Sequence, residues 1–255
     1  MTLSKQIQKL VHGSRDIRTP KSGLEAMFEA VFNSLPKAPY LTAFPHGYLR
    51  INPEFVSMTQ HTTKDLAQLK ACADTYLDMV RSAEPFEDVL GGEYDQYLGF
   101  DWGQFFTPSD VASLIGELHT STGHHEEAIA SNQPISISDV CSGGGALTMG
   151  MLQSLYQEHG KPAIALVDIH AVDRDPHMCR LTSLQVILSS MVHQMPFSSL
   201  RVECGNPLIQ DEKLFTYAIP HVRRYLSNHQ PNDLDNEEIS RQIARLKTVE
   251  VVQAL

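Results

Sequence analysis

Asp139-Val140-Cys141-Ser142-Gly143-Gly144-Gly145 is the stretch whose reading decides the fold. Ile135-Ser136-Ile137-Ser138 precedes it, and that strict alternation predicts a strand. Leu147, Met151, Leu152 and Leu155 follow at helical spacing. Three glycines let the backbone turn tightly and approach a ligand with no Cβ in the way. The start of the helix behind them offers free N–H groups. Ile164 to Val172 reads as a second, buried strand and runs into Asp173, placed to accept both hydroxyls of a ribose. Strand, glycine turn, helix, strand and acid make a half-site for a nucleoside-bearing cofactor. A turn that merely connects a strand to a helix is the other reading of the same residues.

The residues narrow the cofactor. A dinucleotide fingerprint needs a third glycine where Thr148 stands, and Asp173 lies later than its acid would. A phosphate-binding Gly-Lys-Ser/Thr loop is absent. Asp139 would repel a phosphate and suits a positive charge such as the ammonium of S-adenosylmethionine.

Outward from the turn, Pro176 opens a helix through Cys179, Leu181, Leu184, Ile187 and Leu188. Leu200 to Cys204 reads as a third strand and Leu214 to Ile219 as a weaker fourth. The order predicts an α/β, doubly wound, parallel sheet of about four strands, with Ile135 to Val140 near its middle. Thr107-Pro108-Ser109-Asp110 reads as a helix start with Thr107 as its cap, and Val111, Leu114, Ile115 and Leu118 as its core face. Residues 119–134, with His119, His124, His125, Glu126 and Glu127, read as a solvated connector rather than a metal site.

Upstream, residues 22–100 read as a small helical domain. One helix starts at a Ser22–Glu25 capping box, a second starts at Thr62 with Leu66 on its buried face, and a short third runs over 87–98. Four prolines make 36–60 a loop, with one extended piece at Tyr48 to Ile51. Residues 1–21 carry five basic side chains against Asp16 and read as a solvated basic arm. The α/β domain spans 101–225, and 226–255 is a linker with an amphipathic helix from Asn236.

Composition bounds the function. The 255 residues carry 20 basic and 30 acidic side chains, a net charge of −10, which disfavours a general nucleic-acid coat. Cys72, Cys141, Cys179 and Cys204 are far apart with no Cys-x-x-Cys pair, which argues against a zinc site or disulfide framework. With no signal peptide and no long apolar run, the expectation is a reduced, cytoplasmic protein with no membrane partner.

Gly103-Gln104-Phe105-Phe106-Thr107-Pro108, then Asp139 to Gly145, then Val172-Asp173-Arg174-Asp175-Pro176, in that order, resemble the DNA adenine-N6 methyltransferases that form the modification subunits of type I restriction–modification systems. Leu90-Gly91-Gly92-Glu93-Tyr94 looks like that family's Leu-Gly-x-x-Tyr-Glu helix, with Asp95 in the place of its Glu. The likeness runs from about residue 86 to 210. It implies a Rossmann-like methyltransferase fold, S-adenosylmethionine as cofactor and DNA as substrate. It also implies a cofactor set of Phe105, Phe106, Thr107, Pro108, Asp139, Ser142, Gly143, Gly145, Asp173, Arg174 and Asn206. Ser142 stands where the family has cysteine. The family's base-holding Asn-Pro-Pro-Tyr/Phe loop has no counterpart after the fourth strand, where the chain reads Ile219-Pro220-His221-Val222. Asn206-Pro207-Leu208 follows the third strand and lacks the second proline and the aromatic. The expectation is a degenerate or truncated methyltransferase with a curtailed sheet, inactive alone and acting with a partner subunit, with no catalytic residue assigned. Its sheet edge would be covered by the last helix or a second subunit, and a homo-oligomer stays open. A non-catalytic protein that pairs with a restriction–modification complex, or interferes with it, is the alternative. A methyltransferase for another substrate is a third reading.

Overall fold

The computed structural model describes residues 2–36, 44, 47–56, 61–91, 97, 107–121, 124–209 and 211–229. Its helices are α1 (Leu3–Gly13), α2 (Pro20–Ser34), α3 (Thr63–Ser82), α4 (Ser109–Thr120), α5 (His124–Ala130), α6 (Ala146–Ile164), α7 (Pro176–Val192) and α8 (Val222–Asn228). Its strands are β1 (Tyr48–Ile51), β2 (Ile135–Asp139), β3 (Val167–Asp173), β4 (Ser199–Cys204) and β5 (Lys213–Ile219). They form one sheet in the order β1-β5-β4-β3-β2.

The β2-α6-β3-α7-β4 run is parallel, as its alternation predicts. Two expectations about the rest of the sheet fail. β2 lies at an edge, not near the middle, because both crossovers step in the same direction and, among the described residues, no strand returns to its far side. β5 runs antiparallel to β4. Only residues 205–212 join the two, far fewer than a parallel crossover needs. β1 then pairs antiparallel with β5, so the extended piece at Tyr48 to Ile51 closes the other edge.

Right-handed crossovers put α6 and α7 on one face of the sheet. That face is apolar: Ile135, Ile137, Val167, Ile169, Ala171, Leu200 and Val202 are buried. α7 is buried on nearly every side, from Met178 to Ser190, because α2 and α3 pack against it from outside. Leu24, Phe28 and Phe32 of α2 and Leu69, Cys72 and Tyr76 of α3 thus share one continuous core with the sheet. The opposite face is polar. Ser136, Ser138, Asp168, His170, Arg201 and Glu203 occupy it in register. Glu203 takes a hydrogen bond from His170 at 2.7 Å and from Arg201 at 2.7 Å. Asp168 is bonded to Ser199 and His229. At the β5 end of this face α8 lays Val222 and Tyr225 over Tyr217 and Ile219.

The helices correct the sequence reading in several places. Residues 3–13 are not a solvated arm but a helix that buries Leu3, Ile7 and Leu10; its apolar i, i+4, i+7 spacing outweighs its surface charge. α2 starts at Pro20, not Ser22, since Thr19 caps it and shares a reciprocal capping box with Ser22. α3 begins as expected after Thr62, but Leu66 is exposed, because Asp65 turns inward to the Thr62 hydroxyl. Residues 83–90 are not helical, and most of the expected third helix lies outside the described residues, as does the expected helix from Asn236. His124–Ala130 is a helix rather than a solvated connector, and His125 is buried against His119 at 3.2 Å.

The largest inversion is α4. Pro108, not Thr107, is its cap, and its buried side is Ala112, Gly116 and Thr120. The two helices meet at glycines: a Cβ on Gly116 would lie 2.5 Å from the Gly150 carbonyl, and one on Gly150 would lie 2.5 Å from the Ala112 carbonyl. Backbone contact that close leaves the large side chains only the outer side. Val111, Leu114, Ile115 and Leu118 are 41%, 55%, 39% and 61% exposed.

His170 and then Arg201 hold the Glu203 carboxyl down at about 2, against the upward push of burial. A carboxylate depressed in the folded state stabilises above its unfolded range and loses that contribution as pH falls toward about 2. Glu203→Gln is therefore expected to lower stability near pH 6 by on the order of 1–2 kcal/mol, the half-exposed His170 being screened by solvent. Its unfolding midpoint should also fall less steeply than wild type between pH 5 and 2.5 in denaturant titrations. Parallel slopes for the two proteins would contradict this.

Candidate functional site

The C-terminal ends of the three parallel strands come together at one carboxylate. Asp173 Oδ2 accepts from the Gly143 N–H at 2.8 Å, and Oδ1 accepts from the Asp175 N–H at 2.8 Å. The backbone carbonyl of Asp173 accepts from the Gly205 N–H at 3.0 Å. Asp173 thus joins the glycine turn after β2, the start of α7 and the loop after β4. Sequence reading sees it as an acid awaiting a ribose. The structure adds that it organises the turn, with acceptor positions left, since a carboxylate has about four.

The turn needs its glycines at two positions. Gly143 has φ of 51° and Gly145 has φ of 93°, both in the left-handed region. A Cβ on Gly143 would meet nothing within 4 Å among the described residues, so this corner opens away from them. A Cβ on Gly145 would press on Thr182 at 3.2 Å. Ser142 donates its N–H to the Val172 carbonyl at 3.0 Å, while its hydroxyl is buried with no partner among the described residues.

Two residues that sequence reading misses hold the turn from α7. Thr182 donates its hydroxyl to the Gly143 carbonyl at 2.8 Å, and Gln185 donates its amide to the Gly144 carbonyl at 2.9 Å. Both are buried. With these carbonyls drawn down to α7, the turn cannot flip, and the N–H groups at the start of α6 stay aimed past it. The only signal in the sequence is polar residues on a helix that is otherwise apolar.

Asp139 sits at the end of β2 and faces inward. It is 8% exposed, and it accepts the Thr148 hydroxyl at 3.0 Å. Burial pushes its carboxyl above the usual carboxylate range, against that hydrogen bond. Its carboxylate therefore lies beneath the turn. Arg174 follows Asp173 on the exposed rim. Asn206 stands next to this centre through Gly205, and its Oδ1 already accepts from the Leu208 N–H at 3.1 Å. α4 runs alongside α6 in the same sense, with Ala112 against Gly150 and Gly116 against Ser154. Thr107 and Pro108 therefore lie toward the end of α6 that carries the turn. Phe105 and Phe106 lie outside the described residues.

The chain has a second Asn-Pro step that sequence reading passes over, Asn52-Pro53-Glu54-Phe55, just beyond β1. It offers no free amide: Asn52 donates to the Leu214 carbonyl at 2.8 Å and accepts from the Glu54 N–H at 3.1 Å. Phe55 packs on Phe215 with centroids 4.9 Å apart. A cleft of about 560 Å³ beside β1, lined by Asn33, Arg50, Pro53 and Val56, lies across the sheet from the glycine turn. Among the described residues no group of three His, Cys, Asp or Glu side chains could hold a metal, and no helix is long and apolar enough to cross a membrane.

Thr182→Val is expected to lower stability by about 1–3 kcal/mol, because the Gly143 carbonyl loses a buried donor. Amide hydrogen exchange at residues 141–146 should rise with it. A change below about 0.5 kcal/mol with unaltered exchange would mean that α7 does not hold the turn.

A family model described as N-6 DNA methylase matches residues 85–233, more than half of the chain. No curated protein and no solved structure matches it.

Proposed function

The chain belongs to the N-6 DNA methylase family, and from that premise we propose that it binds S-adenosylmethionine over the glycine turn and serves methyl transfer to adenine N6 in DNA. The observation that carries this is the joined strand ends: Gly143 open on its outer side, with Asp173 fixed beneath it. The residues present fit such a ligand. The space beyond Gly143, clear of the described residues, admits a group against the backbone, and the unpartnered Ser142 hydroxyl lies at the same corner. When bound, the cofactor supplies an electrophilic methyl group. The remaining acceptor positions of Asp173 take the ribose hydroxyls, and Arg174 and Asn206 line the rim. Gly143 and Gly145 let the ligand approach the main chain. Asp139 acts through the turn that it supports and adds negative potential below a cationic ligand. Phe105, Phe106, Thr107 and Pro108 are assigned to the methionine end of the cofactor on their resemblance to the modification subunits.

Transfer also needs a group that holds the adenine amine in line and accepts its developing charge. The sequence has no Asn-Pro-Pro-Tyr/Phe tetrapeptide. The Asn52 amide is engaged with its own fold. We therefore assign this chain the cofactor half of the reaction and the base-holding half to a partner subunit, in the cytoplasm. The edge of β2, which pairs with no further strand among the described residues, and the exposed apolar stripe of α4 favour that division.

Calorimetric titration with S-adenosylmethionine tests the reading. Wild type is expected to bind, and Asp173→Ala to bind at least tenfold more weakly, each lost hydrogen bond to a charged acceptor contributing about 1–3 kcal/mol. An unchanged dissociation constant in a folded variant would remove Asp173 from the site.

In a tritiated methyl-transfer assay on mixed-sequence duplex DNA, the chain alone is expected to stay at the level of an Asp139→Ala control. Transfer above that control would move the base-holding role back onto this chain.

A further inference from the structure

Two of the four cysteines meet behind the proposed cofactor site. Cys179 lies in the first turn of α7, and Cys204 is the last residue of β4. Cys204 stands opposite Asp173 in the β3–β4 register. Its Sγ lies 3.7 Å from the Arg174 carbonyl. Cys179 Sγ lies 3.3 Å from the Asp173 carbonyl and 3.4 Å from the Glu203 carbonyl. Both sulfurs thus lie on the backbone of neighbouring residues, Asp173 and Arg174, which places the two thiols beside each other. They sit 25 positions apart in the sequence, so spacing alone conceals the pair.

Their surroundings differ in a way that suits sequential oxidation. Cys179 is buried, and Cys204 is partly exposed. The contact with Cys204, followed by burial, pushes the Cys179 thiol up. The same contact holds Cys204 below the ordinary thiol range. Cys204 is thus the reachable sulfur with more thiolate character, and Cys179 is the neighbour able to resolve it. Cys72 is buried in α3, and burial raises it to about 11. Cys141 is exposed on the glycine turn.

We propose that Cys179 and Cys204 are a site of reversible oxidation by hydrogen peroxide, and that their disulfide weakens ligand binding at Asp173; the second half rests on the function proposed above. The Cys204 thiolate attacks one peroxide oxygen and the O–O bond breaks. This leaves a sulfenic acid, and hydroxide that takes up a proton as water. Cys179 then attacks the sulfenic sulfur. The S–S bond forms, the S–O bond breaks, and the departing hydroxide leaves as water with the Cys179 proton. Two thiols and one peroxide become one disulfide and two waters. The disulfide removes the S–H group that faces the Asp173 and Glu203 carbonyls. A disulfide also holds its two Cβ atoms about 3.8 Å apart, which fixes the first turn of α7 against the end of β4. Asp173 sits between those two elements, its carboxylate bonded to the Asp175 N–H at the start of α7 and its carbonyl to the Gly205 N–H beyond β4, so its carboxylate is displaced.

The test treats the full chain with hydrogen peroxide, alkylates it in denaturant and measures intact mass and peptide linkage. A species carrying two alkyl groups in place of four, on Cys72 and Cys141, with Cys179 linked to Cys204 and about 2 Da lighter than the unlinked chain with the same two groups, is expected. Dithiothreitol should reverse it. Cys179→Ser should stop at a dimedone-trapped sulfenic acid on Cys204, and Cys204→Ser should give neither product. Full alkylation of Cys179 and Cys204 in oxidised wild type, or a linkage through Cys141, would overturn the pair. Titration with S-adenosylmethionine before and after oxidation reads the second half, with at least a tenfold loss of affinity expected on oxidation. Equal affinity of the two forms would overturn the control of binding. Absence of binding to the reduced protein would overturn the proposed function instead, and the disulfide would stand on its mass.

Discussion

One carboxylate carries the architecture of this site. Asp173 takes an N–H from the glycine turn on one oxygen and an N–H from the start of α7 on the other, and its own carbonyl takes the Gly205 N–H. Three strand ends are thereby fixed relative to one another. Thr182 and Gln185 complete the arrangement from below by holding the Gly143 and Gly144 carbonyls. Left-handed backbone at Gly143 and Gly145 is what makes both sets of contacts possible at once. A side chain at Gly145 would press on Thr182.

The sheet around this centre is unusual in its two faces. One is a normal apolar core, shared with α2, α3, α6 and α7. The other carries a polar row in which Glu203, His170, Arg201, Asp168 and Ser199 bond mainly to one another. Glu203 and Ser199 are buried in this row, and their pairing offsets the cost of desolvation. An exposed apolar stripe lies elsewhere, on the side of α4 turned away from α6.

Much of this was legible in the sequence because it is local. The alternation of Ile135 to Ser138, the glycine run and Pro176 each act within a few residues, and they place β2, the turn and α7. What was hidden depends on contacts between distant residues. The position of β2 at an edge of the described sheet follows from the direction of the crossovers, not from its own residues. α4 presents a clean apolar stripe, yet Gly116 and Gly150 bring two backbones together and turn that stripe outward. Thr182 acts on a residue 39 positions earlier, from a helix buried all round where periodicity carries no signal. Basic residues at the N-terminus hid an equally clear Leu3, Ile7, Leu10 stripe.

The central claim is that the glycine turn and the end of β3 form the cofactor half of a methyltransferase site. Hydrogen–deuterium exchange with and without saturating S-adenosylmethionine tests it most directly. The account predicts slowed exchange in the peptides covering residues 140–147 and 173–176, and unchanged exchange over 48–55, across the sheet. Ligand binding that leaves 140–147 and 173–176 unprotected, or that protects 48–55 instead, would contradict it.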